Sequence, residues 1–265
     1  MLTSDSSIGI IGAGAMGAGI AQVAAQAGHP VLVFDSNAAQ LQKASQNLKV
    51  TLSKLVEKQK LSLQHADEII NCIQWVEHLQ PFEVCDLVIE AVIEDIQVKH
   101  LVFQQLEKIV DTDCILSSNT SSLSVTSLAS ALEKPQRFMG IHFFNPAPLM
   151  PLVEIIPGLA TDARLVTEIK QLIDQWKKVT VIAKDTPGFI VNRIARPYYG
   201  EALRIYEEGI ADFATIDFAM KSIGGFRMGP FELMDMIGND VNYKDRKSTR
   251  LNSSHVSESR MPSSA

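Results

Sequence analysis

Residues 8–17 read IGIIGAGAMG: a mostly aliphatic run without alternation, three glycines at G-x-G-x-x-G spacing, then a stretch with apolar residues at helical intervals. An apolar run of this kind suits a strand covered on both faces. The glycines that follow require the chain to pass sharply from strand to helix. Gly12 permits the tight turn, Gly14 leaves the backbone open to a pyrophosphate, and Gly17 lets the helix pack close to the strand. Ala15 and Met16 lie at the helix start, where unpaired N–H groups and a partial positive charge favour an anion. The next apolar run, VLVFD (31–35), ends in Asp35, eighteen residues after Gly17. An acid there accepts both hydroxyls of an adenosine ribose and repels a 2′-phosphate. Strand, glycines, helix and acid in register predict a βαβ unit that binds NAD in preference to NADP. A packed βαβ corner without a ligand is the bland alternative.

The alternation continues along the chain. CDLVIEAV (85–92) and CILSSN (114–119) are further strand-like runs, and residues 16–27, 37–59 and 95–110 carry helical patterns. Residues 138–144, 152–156 and 179–182 predict three more strands, with a helix over about 162–177. This order predicts an α/β fold built on a Rossmann-type, doubly wound and mostly parallel sheet. No strand-like run follows the breaker DTPG (185–188). Residues 188–208 place Ile190, Ile194, Tyr198, Leu203 and Tyr206 at helical spacing, and a shorter helix is expected over 212–222. The expected division is an NAD-binding domain over 1–183, a partial all-helical domain over 184–244, and a tail over 245–265. The tail, DRKSTRLNSSHVSESRMPSSA, is Ser-rich and nearly free of aliphatic residues. It is expected to be disordered, and it resembles translated adapter or vector sequence.

Composition narrows the partners. A net charge of -6 argues against a general affinity for nucleic acid or anionic membrane. No apolar segment approaches the roughly eighteen residues of a membrane span, and MLTSDSSIGII has no basic region of the kind that opens a secretory signal. Cys72, Cys85 and Cys114 lack metal-type spacing and lie in or beside apolar runs, so they read as reduced core thiols. These features together point to the cytoplasm and to no metal. A polyanionic ligand would need a local basic patch. Thr51, Lys54 and Lys58 fall at i, i+3 and i+7 of the second helix and share a face. That face is either solvated or a phosphate cradle.

Four pieces carry candidate chemistry. SSNTSS (117–122) puts hydroxyls at the carboxyl end of a strand, where open α/β sheets bind ligands. HFFNP (142–146) ends another strand in a histidine, and Glu154 lies in the apolar run LVEII, where burial without a partner is expensive. Asn192 lies in PGFIVNR. Taken singly, His142 reads as a hydrogen-bonded core residue. Two short strands joined by the Pro-rich turn Asn145-Pro-Ala-Pro would bring it to Glu154. A carboxylate on one ring nitrogen fixes the tautomer and favours the imidazolium formed when the other takes a proton. That suits removal of a hydroxyl proton while hydride leaves the same carbon.

Six motifs in order, GAGAMG, VIEAVIEDIQVK, SSNTSS, HFFNPAPLMPLVE, DTPGFIVNR and MGPFEL, resemble the 3-hydroxyacyl-CoA dehydrogenases of β-oxidation over about residues 7–244. RIARPYYGEALRIYEEG and IGNDVNYK resemble a bacterial branch associated with 3-hydroxybutyryl-CoA and 3-hydroxyadipyl-CoA oxidation. The resemblance implies an oxidoreductase of fatty acid metabolism that interconverts 3-hydroxyacyl-CoA and 3-oxoacyl-CoA with NAD. It implies His142 as base, Glu154 as its orienting partner, and Ser121 and Asn192 as hydrogen-bond donors to the reacting oxygen or acyl carbonyl. Gly12, Gly14, Ala15, Met16, Gly17 and Asp35 would hold the dinucleotide, with Glu94, Lys99, Ser121 and Asn145 lining its nicotinamide end. Thr51, where the family usually has serine, and Lys58 match positions associated with coenzyme A. Family members continue beyond IGNDVNYK with helices that complete the substrate cleft and most of a homodimer interface. The chain is therefore expected to be C-terminally truncated, with apolar surface exposed on the helix over 188–208. Two other readings stand beside this one: a β-hydroxyacid dehydrogenase or imine reductase, which usually places Lys or Asp at the reacting centre, and a truncated, non-catalytic NAD-binding protein.

Overall fold

The computed structural model describes residues 2–238. The expected tail over 245–265 and most of the IGNDVNYK motif lie outside the described residues. The chain divides into two compact units, one ending at Asp185 and the other starting at Thr186.

The first unit alternates strands and helices: β1 (Ile8–Ile11), α1 (Ala15–Gln26), β2 (Val31–Phe34), α2 (Ala38–Glu57), α3 (Leu63–Cys72), β3 (Ile73–Val76), β4 (Leu87–Glu90), α4 (Ile96–Leu106), β5 (Ile115–Ser118), α5 (Val125–Ala129), β6 (Phe138–Phe143), β7 (Leu152–Pro157), α6 (Ala163–Gln175) and β8 (Val179–Ile182). They form one eight-stranded sheet in the order β3-β2-β1-β4-β5-β6-β7-β8. Pairing is parallel from β3 through β6, antiparallel between β6 and β7, and parallel again between β7 and β8. The order reverses between β1 and β4, and in such sheets that switch point opens a crevice at the carboxyl ends of the strands.

The unalternating runs are central strands because helices cover both faces. Every residue of β1, β4 and β5 is buried. On one face Ile20 and Ala24 of α1, Leu48 and Leu52 of α2 and Ile169 and Ile173 of α6 close over the sheet. Each of these Ile and Leu side chains contributes roughly 1.5–3 kcal/mol on burial. Elsewhere Phe103 of α4 meets Phe138 of β6 edge to face, with ring centroids 4.8 Å apart. Helix starts follow the side chains that cap them. Asn37 accepts the amides of Ala39 and Gln40 before α2, and Asp95 accepts those of Gln97 and Val98 before α4. Among the described residues no helix is long and apolar enough to cross a membrane.

The second unit contains α7 (Val191–Glu207), α8 (Phe213–Ser222) and α9 (Pro230–Ile237). The Asp217 carboxylate accepts the amides of Phe231 and Glu232 at 2.9 and 3.0 Å and so closes the start of α9. Phe213 packs in tilted contact against Tyr206 and Phe231. Much apolar surface remains: Ile194 is 71% exposed and Ile223 85%. The first helix begins three residues later than its spacing suggests, because Gly188 and Phe189 both adopt positive φ before it.

Candidate active site

The glycine loop follows β1. Gly12 has φ +101°, and a Cβ there would lie 2.6 Å from the Ala91 carbonyl oxygen, so only glycine lets the end of β4 approach. A Cβ on Gly17 would lie 1.8 Å from the Gly12 carbonyl oxygen. At Gly14 a Cβ would meet nothing within 4 Å. The outer glycines are thus filled by protein, while the middle one faces open space at the start of α1, the environment a pyrophosphate requires. Ala15 opens α1 exposed, and Met16 is partly buried against the core. Asp35 turns back into this loop, one carboxylate oxygen accepting the Ala13 amide at 2.7 Å and the other the Asn37 amide at 2.9 Å. Each oxygen keeps a lone pair for a ribose hydroxyl. These residues fit NAD.

Beyond β4 lies a chain of charged and hydroxyl groups. Lys99 is 1% exposed, its ammonium 2.6 Å from Glu90 and 3.3 Å from Glu94. Glu90, wholly buried, also accepts the Val92 amide and the Ser118 hydroxyl, each at 2.6 Å. One oxygen of Glu94 gathers the Thr120 hydroxyl, the Ser121 amide at 3.0 Å and the Ser122 amide at 3.2 Å. Burial opposes ionisation of Glu94, but the Lys99 ammonium, the Thr120 hydroxyl and the Ser121 amide hold its carboxyl below the usual range. Lys99, expected to line a nicotinamide end, has its ammonium enclosed against Glu90 and Glu94. The hydroxyl loop is tied onward to β6, because Asn119 accepts the Phe143 amide at 2.8 Å.

His142 and Glu154 stand directly opposite each other in the antiparallel ladder of β6 and β7. His142 Nδ1 and Glu154 Oε2 are 2.8 Å apart, with side-chain exposures of 6% and 0%. In an antiparallel pair, facing residues point to the same side of the sheet, so register alone makes this contact. The imidazole also packs on the Phe144 ring at a centroid distance of 4.5 Å. Asn145 follows at the exposed start of the connecting turn, before a cis Pro146.

The remaining candidates are spread wider. Thr51 and Lys54 lie exposed on α2, the Thr51 hydroxyl donating to the Asn47 carbonyl at 2.8 Å. Lys58 is the residue that caps the end of that helix. Asn192 is in the first turn of α7, in the second unit. Among the three free cysteines, burial raises the Cys85 thiol and pushes Cys114 up to about 12, whereas Cys72 is half-buried rather than core. A cleft of about 600 Å³ opens at the amino ends of β4 and β5, by Asp86, Cys114 and Arg137. It lies at the edge of the sheet opposite these candidates, and none of the expected site residues lines it. Sequence reasoning missed Glu90, Asn119 and Lys178. Glu90 carried the same signal as Glu154, an acid inside an apolar run.

Comparison with known proteins agrees with this geometry. Residues 7–186 match the family described as 3-hydroxyacyl-CoA dehydrogenase, NAD binding domain, and residues 188–263 match its C-terminal domain. The chain is 43% identical over 243 residues to the 3-hydroxyadipyl-CoA dehydrogenase of Escherichia coli K12, covering 92% of this chain and 51% of that protein. It therefore spans about half the length of that relative. It is 44% identical over 236 residues to a probable 3-hydroxybutyryl-CoA dehydrogenase of Deinococcus radiodurans, covering 88% of this chain and 84% of that one. The crystal structure of a 3-hydroxybutyryl-CoA dehydrogenase from Escherichia coli K12 superposes with a TM-score of 0.91 at 42% identity, over 95% of this chain and 53% of that one.

Proposed function

Because the chain belongs to the 3-hydroxyacyl-CoA dehydrogenase family, we propose that it interconverts a 3-hydroxyacyl-CoA and its 3-oxoacyl-CoA. The observation that carries the reading is the buried His142–Glu154 pair, 2.8 Å apart and on the same edge of the sheet as the glycine loop.

Glu154 accepts a hydrogen bond from His142 Nδ1–H, which leaves the Nε2 lone pair able to take the proton of the 3-hydroxyl. As the imidazolium forms, the buried carboxylate balances its charge; in the reverse direction Nε2–H returns the proton to the 3-oxo oxygen. When bound, NAD supplies the hydride acceptor. Asp35 holds the adenosine ribose and the start of α1, with Gly12, Gly14, Ala15, Met16 and Gly17, receives the pyrophosphate. Glu94, Ser121 and Asn145 border the nicotinamide end, and Lys99 acts there by fixing Glu94. Ser121 and Asn192 donate to the reacting oxygen or acyl carbonyl. Thr51 and Lys58 take coenzyme A, an anionic ligand that a protein of net charge -6 must meet locally.

The assembly we propose is a homodimer through the helical unit, where Ile194, Phe218, Ile223 and Met236 are exposed. Free thiols at Cys72, Cys85 and Cys114 support a reducing, cytoplasmic setting. Loss of NADH absorbance with acetoacetyl-CoA tests the activity. His142→Ala should cut turnover by about 10²–10⁴-fold while NADH binding is retained; a variant keeping most of its turnover would remove His142 from the chemistry.

A further inference from the structure

The connection from β6 to β7, residues 144–151, has three prolines in eight positions: Pro146, Pro148 and Pro151. Each removes an amide donor, so the turn has little with which to satisfy its own carbonyls. Within it, the Leu149 and Met150 amides both reach the Pro146 carbonyl at 3.0 Å. Two more carbonyls are served from outside: Lys178 Nζ donates to Ala147 O at 2.6 Å and to Met150 O at 2.9 Å. Lys178 stands just before β8, is 9% exposed and is paired with none of the described carboxylates. Burial lowers its affinity for the proton, so the charged head relies on those two oxygens.

The turn is held from its other side as well. A Cβ built on Gly19 of α1 would lie 3.2 Å from Pro148 Cδ and 3.3 Å from Ala147 Cβ, and Ala147 is 1% exposed. The turn is thus seated between Lys178 and the helix that carries the glycine loop, and Asn145 rides on it. The strand ladder already sets His142 opposite Glu154, so the pair itself does not need the lysine. What depends on Lys178 is the course of the turn.

We propose that Lys178 is a positioning residue of the active site: by holding the Ala147 and Met150 carbonyls it seats the turn on α1 and fixes Asn145 relative to the His142–Glu154 pair. The inference rests on the function proposed above. Loss of the ammonium leaves the anchors of the adenosine and pyrophosphate in place and disturbs only alignment at the reacting end. A displacement of about 1 Å there costs on the order of 10²-fold in rate.

The test compares the whole chain with Lys178→Met, Lys178→Arg and Gly19→Ala. Lys178→Met should bind NADH within about 3-fold of the parent by fluorescence titration, while kcat for acetoacetyl-CoA reduction falls about 10–100-fold. The primary isotope effect with NADH deuterated at the transferring carbon should rise, and the Leu149 and Met150 amides should exchange faster. Lys178→Arg, which keeps cationic donors, should restore part of kcat. Gly19→Ala presses on the turn from the other side and should give the same split more weakly; it decides the matter if Lys178→Met does not fold. A Lys178→Met variant with parental kcat and isotope effect but lowered Tm would reduce the lysine to a brace and overturn the proposal. Loss of kcat and NADH affinity in step would overturn it too. A parent chain that binds NADH yet does not reduce acetoacetyl-CoA would overturn the functional reading itself, and the inference with it.

Discussion

Glu154→Gln isolates the acid from its shape. The carboxylate is fully buried and 2.8 Å from His142 Nδ1, and an amide of the same size can occupy its place without opening a cavity. If the amide oxygen still accepts from Nδ1, a charged acceptor worth roughly 1.5–3 kcal/mol gives way to a neutral one worth roughly 0.5–1.5. A difference of about 1.4 kcal/mol, falling on the step in which the imidazolium forms, is about tenfold in kcat. If instead the amide NH2 faces the ring, Nδ1 must accept and the proton moves to Nε2, the nitrogen that has to take the substrate's proton. That tautomer error costs on the order of 10⁴-fold in the serine protease triad. The expected loss in kcat for oxidation of 3-hydroxybutyryl-CoA by NAD therefore lies between about 10- and 10⁴-fold, with NAD affinity changed by less than about 2-fold. The double variant with His142→Ala should be no slower than His142→Ala alone, since residues acting as a unit do not add. A kcat within about 3-fold of the parent, or losses that multiply in the double variant, would refute the argument that Glu154 works through His142.

Two further outcomes follow from packing. Gly17→Ala places a methyl 1.8 Å from the Gly12 carbonyl oxygen, so α1 must lift from β1. NADH affinity should fall by more than about 10-fold, with stability lowered by roughly 1–3 kcal/mol, by titration and thermal melting. His29 is committed at both nitrogens, Nδ1 to the Ser6 carbonyl at 3.0 Å and Nε2 to the Trp176 indole N–H at 2.8 Å. Burial holds its pKa below 6.5 against smaller contrary effects of Ser6 and Asp5. Below pH 6.5 the unfolded chain binds a proton that the folded one refuses, so this stability is full above 6.5 and is lost as pH falls through the window down to the folded pKa. Tm should therefore drop on acidification across that window and drop less in His29→Phe; equal slopes would exclude His29 as the cause.

How much of this was legible depended on whether a residue's role was local. The seven strands expected from apolar runs form within a residue or two of their predicted ends, the central ones because buried strands must be apolar throughout. β3 (IQWV) and α3 before it were not anticipated: at the sheet edge only Ile73 and Val76 of that strand are buried, which leaves too short a pattern to recognise. Gly12, Gly17 and Asp35 were readable because a βαβ turn fixes their spacing. His142 and Glu154 were readable because a short Pro-rich turn between two strands makes a hairpin. Lys178 was not, since its partners are main-chain oxygens about thirty residues away, and no residue type advertises a carbonyl in need of a donor. Asn119 was hidden for the same reason, its partner being the Phe143 amide.

The reversed direction of β7 also governs when the catalytic geometry comes into being. A parallel neighbour would have required a crossover of a dozen or more residues, whereas the hairpin makes base and acid near neighbours in sequence, so the chain entropy of bringing them together is small. Orientation of the imidazole is thus completed during folding, inside the same unit that cradles the dinucleotide. On the function proposed above, the free energy of acyl-CoA association would be left to align the reacting carbon rather than to organise its proton acceptor.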